Sequence, residues 1–290
     1  MLSESPRVLA IIAAYNEADV IAQVIGDLVE QQVSVYLIDH RSTDGTVEEA
    51  SRFLGRGLVA IERFPDESGF PPEDGERFAW EAILRRKEQL AATLAYDWVI
   101  HADADELRES PWPGVPLGPA VGAVDRLGYN AIDFALFQFR PVHDDFVPGG
   151  DLRSAFTHYE LPRHFDILQV KCWKNTGPVA LVPSGGHEAA FDGRNIFPLR
   201  FVLRHYPIRS QSHGMRKVFR ERCPRFIESE HGRWHLQYDD ITPETNFIRS
   251  PDELIAWDPW AVRAELAIRN RWVESLETEV ERLRAELSRR

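Results

Sequence analysis

The sequence predicts an α/β fold: a mainly parallel sheet flanked by helices, followed by a C-terminal helix with a coiled-coil repeat. Two patterns carry this reading. Through the first hundred residues, apolar runs alternate with segments of helical period. In the tail, apolar residues recur at steps of three and four.

"VLAIIAAY" (Val8 to Tyr15) is continuously apolar, as a strand buried on both faces should be. "EADVIAQVIGDLVEQQ" follows with Val20, Ile21, Val24, Ile25 and Leu28 on one side of a helix. "VSVYLIDH" (Val33 to His40) is the second strand. "STDGTVEEASRFL" opens with helix-capping side chains. "LVAIERF" (Leu58 to Phe64) is the third strand, and "FPDESGFPPEDG" a loop long enough to have a role of its own. "ERFAWEAILRRKEQLAATLAY" reads as a long helix and "WVIHADADE" as the fourth strand. Later strands are expected in "AIDFALFQFRPV", "DILQVKCWKN" and "PLRFVLRHYPI", with a basic helix in "SHGMRKVFRERCPRFIESE". The expected organisation is one domain over 1–250, its halves 1–110 and 111–250, and a helix over 251–290. In that helix Val262, Leu266, Val273, Leu276, Val280, Leu283 and Leu287 form a seam that would join copies of the chain into a homo-oligomer; the alternative is a helix docked on its own domain.

The chain has 290 residues, 43% of them apolar, enough for a sizeable core. Its formal charge of −12 argues against nucleic acid as a partner. Two cysteines and no signal-like N-terminus point to the cytoplasm, with membrane contact at most peripheral, at the inner face.

In an open α/β sheet, ligands bind at the carboxyl ends of the strands. The first strand ends in Tyr15 and Glu17, the second in Asp39, the fourth in Asp103, Asp105 and Glu106. Three acids in four residues repel one another unless they splay into solvent or hold a cation. An aromatic ring beside a carboxylate suits a planar base, stacked on Tyr15 and hydrogen-bonded to Asp39. A carboxylate pair beyond it suits a hard divalent ion that bridges to phosphates. The sum is a nucleotide diphosphate with Mn²⁺ or Mg²⁺. No glycine-rich phosphate loop follows the first strand, which argues against a dinucleotide oxidoreductase and a P-loop kinase.

"IIAAYNEADVI", "LIDHRSTDGT" and "WVIHADADE" together resemble the nucleotide-binding half of family 2 glycosyltransferases, with "DAD" where that family has its DxD-type metal motif. The resemblance covers roughly residues 7–110. It implies a Rossmann-like GT-A fold, a UDP-, GDP- or dTDP-linked sugar donor, and transfer to an acceptor hydroxyl of a glycan or other molecule, usually with inversion and often in cell-surface glycan synthesis. It places Tyr15 and Glu17 at the base and ribose, Asp39 on the base, Asp103 on ribose or metal, and Asp105 on the metal. His205 is the candidate third metal ligand, since some GT-A enzymes use a histidine from this region; the alternative is a structural histidine.

Lys217 and Arg220 on the basic helix, and Arg86 on the earlier one, are candidates to neutralise the departing diphosphate. Solvated basic faces are the alternative. An inverting transfer needs a general base on the acceptor side. Glu188 and His187 of "PSGGHEAAF" lead, then Asp166, with Asp144 and Asp145 as rivals. A sugar nucleotidyltransferase and a catalytically silent scaffold are the competing functions. The first lacks its glycine-rich signature here, and the intact acid motif counts against the second.

Overall fold

The structure is a computed structural model and describes residues 5–65, 77–162, 166–234, 238–264 and 266. Two sheets share it. The first has six strands in the order β3-β2-β1-β4-β9-β6. Its strands are β1 (Val8–Ala14), β2 (Ser34–Asp39), β3 (Leu58–Arg63), β4 (Trp98–Asp103), β6 (Ala131–Ile132) and β9 (Cys172–Lys174). The first four are mutually parallel, joined through α1 (Ile21–Glu30), α2 (Thr46–Ser51) and α3 (Trp80–Thr93). β9 and β6 close the edge by antiparallel pairing. The expected α/β architecture is therefore present.

The second sheet runs β11-β8-β7-β10-β5. It comprises β5 (Glu106–Glu109), β7 (Phe134–Phe139), β8 (His158–Glu160), β10 (Phe201–His205) and β11 (Ile255–Ala256). The sequence reading contains no second sheet. "WVIHADADE" is read there as one strand, but it divides at Ala104–Asp105: β4 ends in the first sheet and β5 begins in the second. "AIDFALFQF" divides likewise at Asp133, whose carboxylate accepts from the Gln169 main-chain N–H and pairs with Arg200. α4 (Leu117–Arg126), absent from the sequence reading, covers the first sheet with Leu117, Ala120, Val121 and Val124 buried.

One apolar core runs from Val8 and Ile12 of β1 to Phe137, Phe139 and Phe201 of the second sheet. Val262 and Leu266, the first two residues of the expected seam, lie in that core at 1% and 0% exposure. These two positions pack within their own chain. The rest of the expected coiled coil lies outside the described residues, as does most of the loop after Phe64.

Candidate functional site

The acid cluster sits where the two sheets meet. Asp103 ends β4, Asp105 occupies the turn, and Glu106 starts β5. His205, at the end of β10, is in register with Glu106, so its imidazole Nε2 comes to 3.6 Å from Asp105 Oδ1. Each carboxylate has its own cation. Asp103 faces Lys171 at 3.5 Å and Lys87 at 3.8 Å. Asp105 Oδ2 accepts from Lys217 at 2.8 Å. Glu106 accepts from Arg108 and, at 2.9 Å, from Lys171. Burial disfavours the charged form of all three, but the neighbouring cations outweigh it. Asp103 and Asp105 are held below the usual carboxylate range, and Glu106 is pulled down to about 2.

These acids border a cavity of about 1140 Å³ at the carboxyl ends of the parallel strands. One end is aromatic. Phe78 stacks on Trp80 with ring centres 5.7 Å apart, and His40 meets both Phe78 (6.0 Å) and Tyr15 (6.3 Å) edge-on. The lining also holds polar and charged side chains: Asp103, Asp105, Glu17, Lys217 and His205. The backbone there is held in an uncommon shape. Asn16 has φ of +55° and is fixed on three sides: its N–H donates to Ser42 Oγ, its side-chain oxygen accepts from Thr43 N–H, and its Nδ2 donates to Glu221.

The basic segment crosses the cavity. Ser210 caps α6 (Gln211–Arg216) by accepting from the His213 N–H. A π-helical turn, Lys217–Arg222, follows, and then a 3₁₀ turn, Cys223–Arg225. Pro224 explains the change of winding, because it has no N–H to continue an α-helix and its ring would clash with residue 220. Lys217 Nζ reaches Asp105 and, at 3.1 Å, Glu17. Arg209 holds the second oxygen of Glu17 and both oxygens of Asp19. Arg222 lies over Phe78, 4.1 Å from the ring centre, and Arg225 over Tyr15 at 3.6 Å.

Another part of the lining is built by "PSGGHE", whose Gly185 carbonyl accepts from Trp80 Nε1 at 2.9 Å. Gly185 and Gly186 take φ of +64° and +93°, a conformation that the two glycines of the sequence permit. A Cβ on Gly186 would stand 2.8 Å from the His101 ring, so the turn lies tightly on β4. It presents His187, whose Nδ1 lies 3.5 Å from Asp166 Oδ1. Gln169 Nε2 donates to the Asp166 carbonyl, which fixes its amide, and approaches His187 Nδ1 at 2.9 Å. Glu188 is paired with Arg194 at 3.1 Å.

Of the residues expected from sequence, the cavity collects Tyr15, Glu17, Asp103, Asp105, Asp166, His187, Glu188, His205 and Lys217. The rival acids Asp144 and Asp145 are not among its lining residues, and three leading candidates do not reach it. Arg86 pairs with Glu62 at 2.8 Å, away from the cavity. Arg220 points outward and is exposed. Asp39 is buried behind the rim, where its carboxylate accepts the Ser42 N–H at 3.2 Å and shapes the loop rather than lining the site; burial raises its pKa. Nor do Asp103, Asp105 and His205 form one ligand set: among the described residues no three His, Cys, Asp or Glu side chains group as a metal site. His40, Lys171 and Arg222 border the cavity, and the sequence reading assigns them nothing. His40 was visible as the neighbour of Asp39 at the end of β2. Lys171 carries no local signal.

Residues 9–70 match the family described as Glycosyl transferase family 2. No curated protein matches the chain. Among solved structures it is similar to the glucosyl-3-phosphoglycerate synthase of Mycobacterium tuberculosis in complex with Mn²⁺, uridine diphosphate and glucosyl-3-phosphoglycerate. That match has 21% identity and a TM-score of 0.29, and covers 46% of this chain and 44% of the synthase; it thus spans less than half of the synthase's length.

Proposed function

We propose that the protein is a metal-dependent glycosyltransferase that moves a sugar from a nucleotide-diphosphate sugar to an acceptor hydroxyl, with inversion. The carrying observation is a cavity lined by both aromatic and charged side chains, placed at the strand termini where α/β sheets take their ligands. The base lies toward Tyr15, His40 and Phe78. The diphosphate lies toward Asp105, His205 and Lys217. The family match over residues 9–70 agrees with this.

The donor chemistry fits Mn²⁺ or Mg²⁺. Asp105 Oδ1 and His205 Nε2 stand 3.6 Å apart, about the spacing of neighbouring ligands on one divalent ion with bonds of about 2.0–2.3 Å. Asp103 faces Lys171 and Lys87 instead, so phosphate oxygens of the donor would complete the set. When bound, the ion supplies positive charge to the departing diphosphate. Lys217 brings a fixed positive charge to the same place.

The general base is Asp166. Glu188 is occupied by Arg194. His187 Nδ1 takes the Gln169 amide proton, so the neutral ring carries its own proton on Nε2 and donates rather than accepts. Burial, then Lys171, keeps that ring below the usual histidine range and hence neutral. Asp166 borders the cavity, with the neutral His187 ring beside its carboxylate at 3.5 Å. Asp166 takes the hydroxyl proton as oxygen attacks the anomeric carbon and the bond to the diphosphate breaks; one such displacement inverts the centre. A glycan acceptor in cell-surface synthesis is the reading we adopt, and the cavity has room for one beside the donor.

The test is turnover of UDP-, GDP- and dTDP-sugars with Mn²⁺ and with chelator. Metal-dependent release of nucleotide from one donor class is expected. Tight binding with no turnover under any metal would instead identify a silent binding module.

A further inference from the structure

We propose that His40 selects the donor's base, donating a hydrogen bond from Nε2 to an exocyclic keto oxygen, so that uracil, thymine or guanine is accepted and cytosine or adenine refused. This rests on the nucleotide-sugar reading above and adds to it a residue and a rule of selection.

The main chain at His40 is rigid, because its N–H donates to the Ala14 carbonyl at 2.8 Å and ties the end of β2 to that of β1. The side chain is 1% exposed, yet it borders the aromatic end of the cavity. Tyr15 and Phe78 flank it edge-on and fix the plane of its ring. Nδ1 lies 3.1 Å from a terminal nitrogen of Arg225. A guanidinium only donates, so Nδ1 must accept. A neutral imidazole then carries its proton on Nε2. The ring is neutral at physiological pH: burial, then Arg225, Arg222 and Arg41, pushes its pKa down to about 3. The tautomer is therefore set by the neighbour.

Nε2 is buried and has no hydrogen-bond partner among the described residues. A buried donor left bare destabilises a fold, and such a group in a native structure calls for an explanation. Of the residues with a bare buried side-chain atom, His40 is the one that borders the cavity. The missing partner must be an acceptor of roughly planar surroundings, since the neighbours are aromatic. A nucleobase keto oxygen meets that demand. The exocyclic O4 of uracil and thymine and the O6 of guanine lie on the base edge away from the ribose, the edge that enters a closed aromatic end first. In cytosine and adenine an amino group stands at that position, and two donors would face each other.

Binding of UDP and CDP, and of GDP and ADP, to the full chain with Mn²⁺ is measured by calorimetry for the wild type, His40→Phe and His40→Gln. Phenylalanine keeps the ring and removes the donor, whereas glutamine keeps an N–H. The wild type should prefer the keto member of the pair it binds by about tenfold or more. His40→Phe should bring that ratio to within about twofold of unity, and His40→Gln should retain part of it. Equal affinity of the wild type for both members, or an unchanged ratio in a folded His40→Phe, overturns the assignment. An ordered water on Nε2 would give the second result. Failure of every nucleotide to bind the wild type would overturn the nucleotide-sugar reading itself, a distinct outcome.

Discussion

The Lys217 ammonium stands between two buried carboxylates, 2.8 Å from Asp105 Oδ2 and 3.1 Å from Glu17 Oε1. Glu17 follows the first strand, Asp105 lies in the turn between the two sheets, and Lys217 opens the π turn far along the chain. One side chain thus joins the three parts that make the cavity. Its charged form is favoured despite burial, because Asp105 and Glu17 outweigh the desolvation and raise its pKa. Replacing it with methionine leaves two acids without their common cation. Removing one partner of a buried pair costs about 3–5 kcal/mol. Lys217→Met should lose stability on that order in urea unfolding, and donor affinity with it. A variant as stable as the wild type would show that water already screens the pair.

Asp105 tests the metal assignment. Asp105→Asn keeps the shape of the turn and the backbone bond from Tyr206 N–H to the residue 105 carbonyl, but removes the charge that faces both Lys217 and His205. The expected result is loss of the Mn²⁺-dependent part of donor binding in calorimetry, with the far-UV spectrum unchanged. Chelation of the wild type should reproduce it. Donor binding that responds to Mn²⁺ equally in both proteins would move the ion away from Asp105.

Asp166 separates chemistry from binding. Asp166→Asn is isosteric, and the side chain it replaces lies beside His187. It should lower kcat by about 10²–10⁴, the usual contribution of a general base, and leave the donor dissociation constant unchanged. Glu188→Gln, which breaks only the pair with Arg194, should fall far less. The reverse order of the two effects would return the base to Glu188.

The parallel half was legible because its strands are continuous apolar runs, and such runs fix their own burial. β1, β2 and β3 end within one residue of their expected limits, whereas β4 stops at Asp103, three residues short of Glu106. The second sheet was legible only in β7 and β10, which fall in expected strands. β8 has three residues and β11 two, too few for a period, and their pairing is set by partners far along the chain. The acid motif was legible as chemistry, but its electrostatics were not. Lys171 lies 65 residues from Glu106 and Lys217 lies 112 from Asp105, and no local pattern announces such cations. Arg220 shows how a sound rule misleads. Spacing of three from Lys217 puts the two on one face of an α-helix, but Pro224 enforces a π turn, and the inward residues become Lys217, Val218 and Glu221.

His40 makes a prediction on pH. Its folded-state pKa is depressed from 6.5 to about 3 by burial and then by nearby arginines. The neutral ring is thus the folded form, and the unfolded chain binds the extra proton first as pH falls. Stability from this group is fully present above about 6.5 and is lost progressively as pH drops toward 3. A shift of that size corresponds to about 3–5 kcal/mol for a fully buried group. His101, His187 and His213 are depressed as well, so the wild type should show a steep acid limb with several contributors. His40→Phe cannot take up the proton. Its stability, followed by urea unfolding between pH 7 and 4, should fall less steeply than that of the wild type. Parallel curves over that range would mean that His40 is protonated as readily in the folded protein as in the unfolded chain. Nδ1 could then no longer accept from Arg225, and the tautomer that leaves a proton on Nε2 would lose its basis.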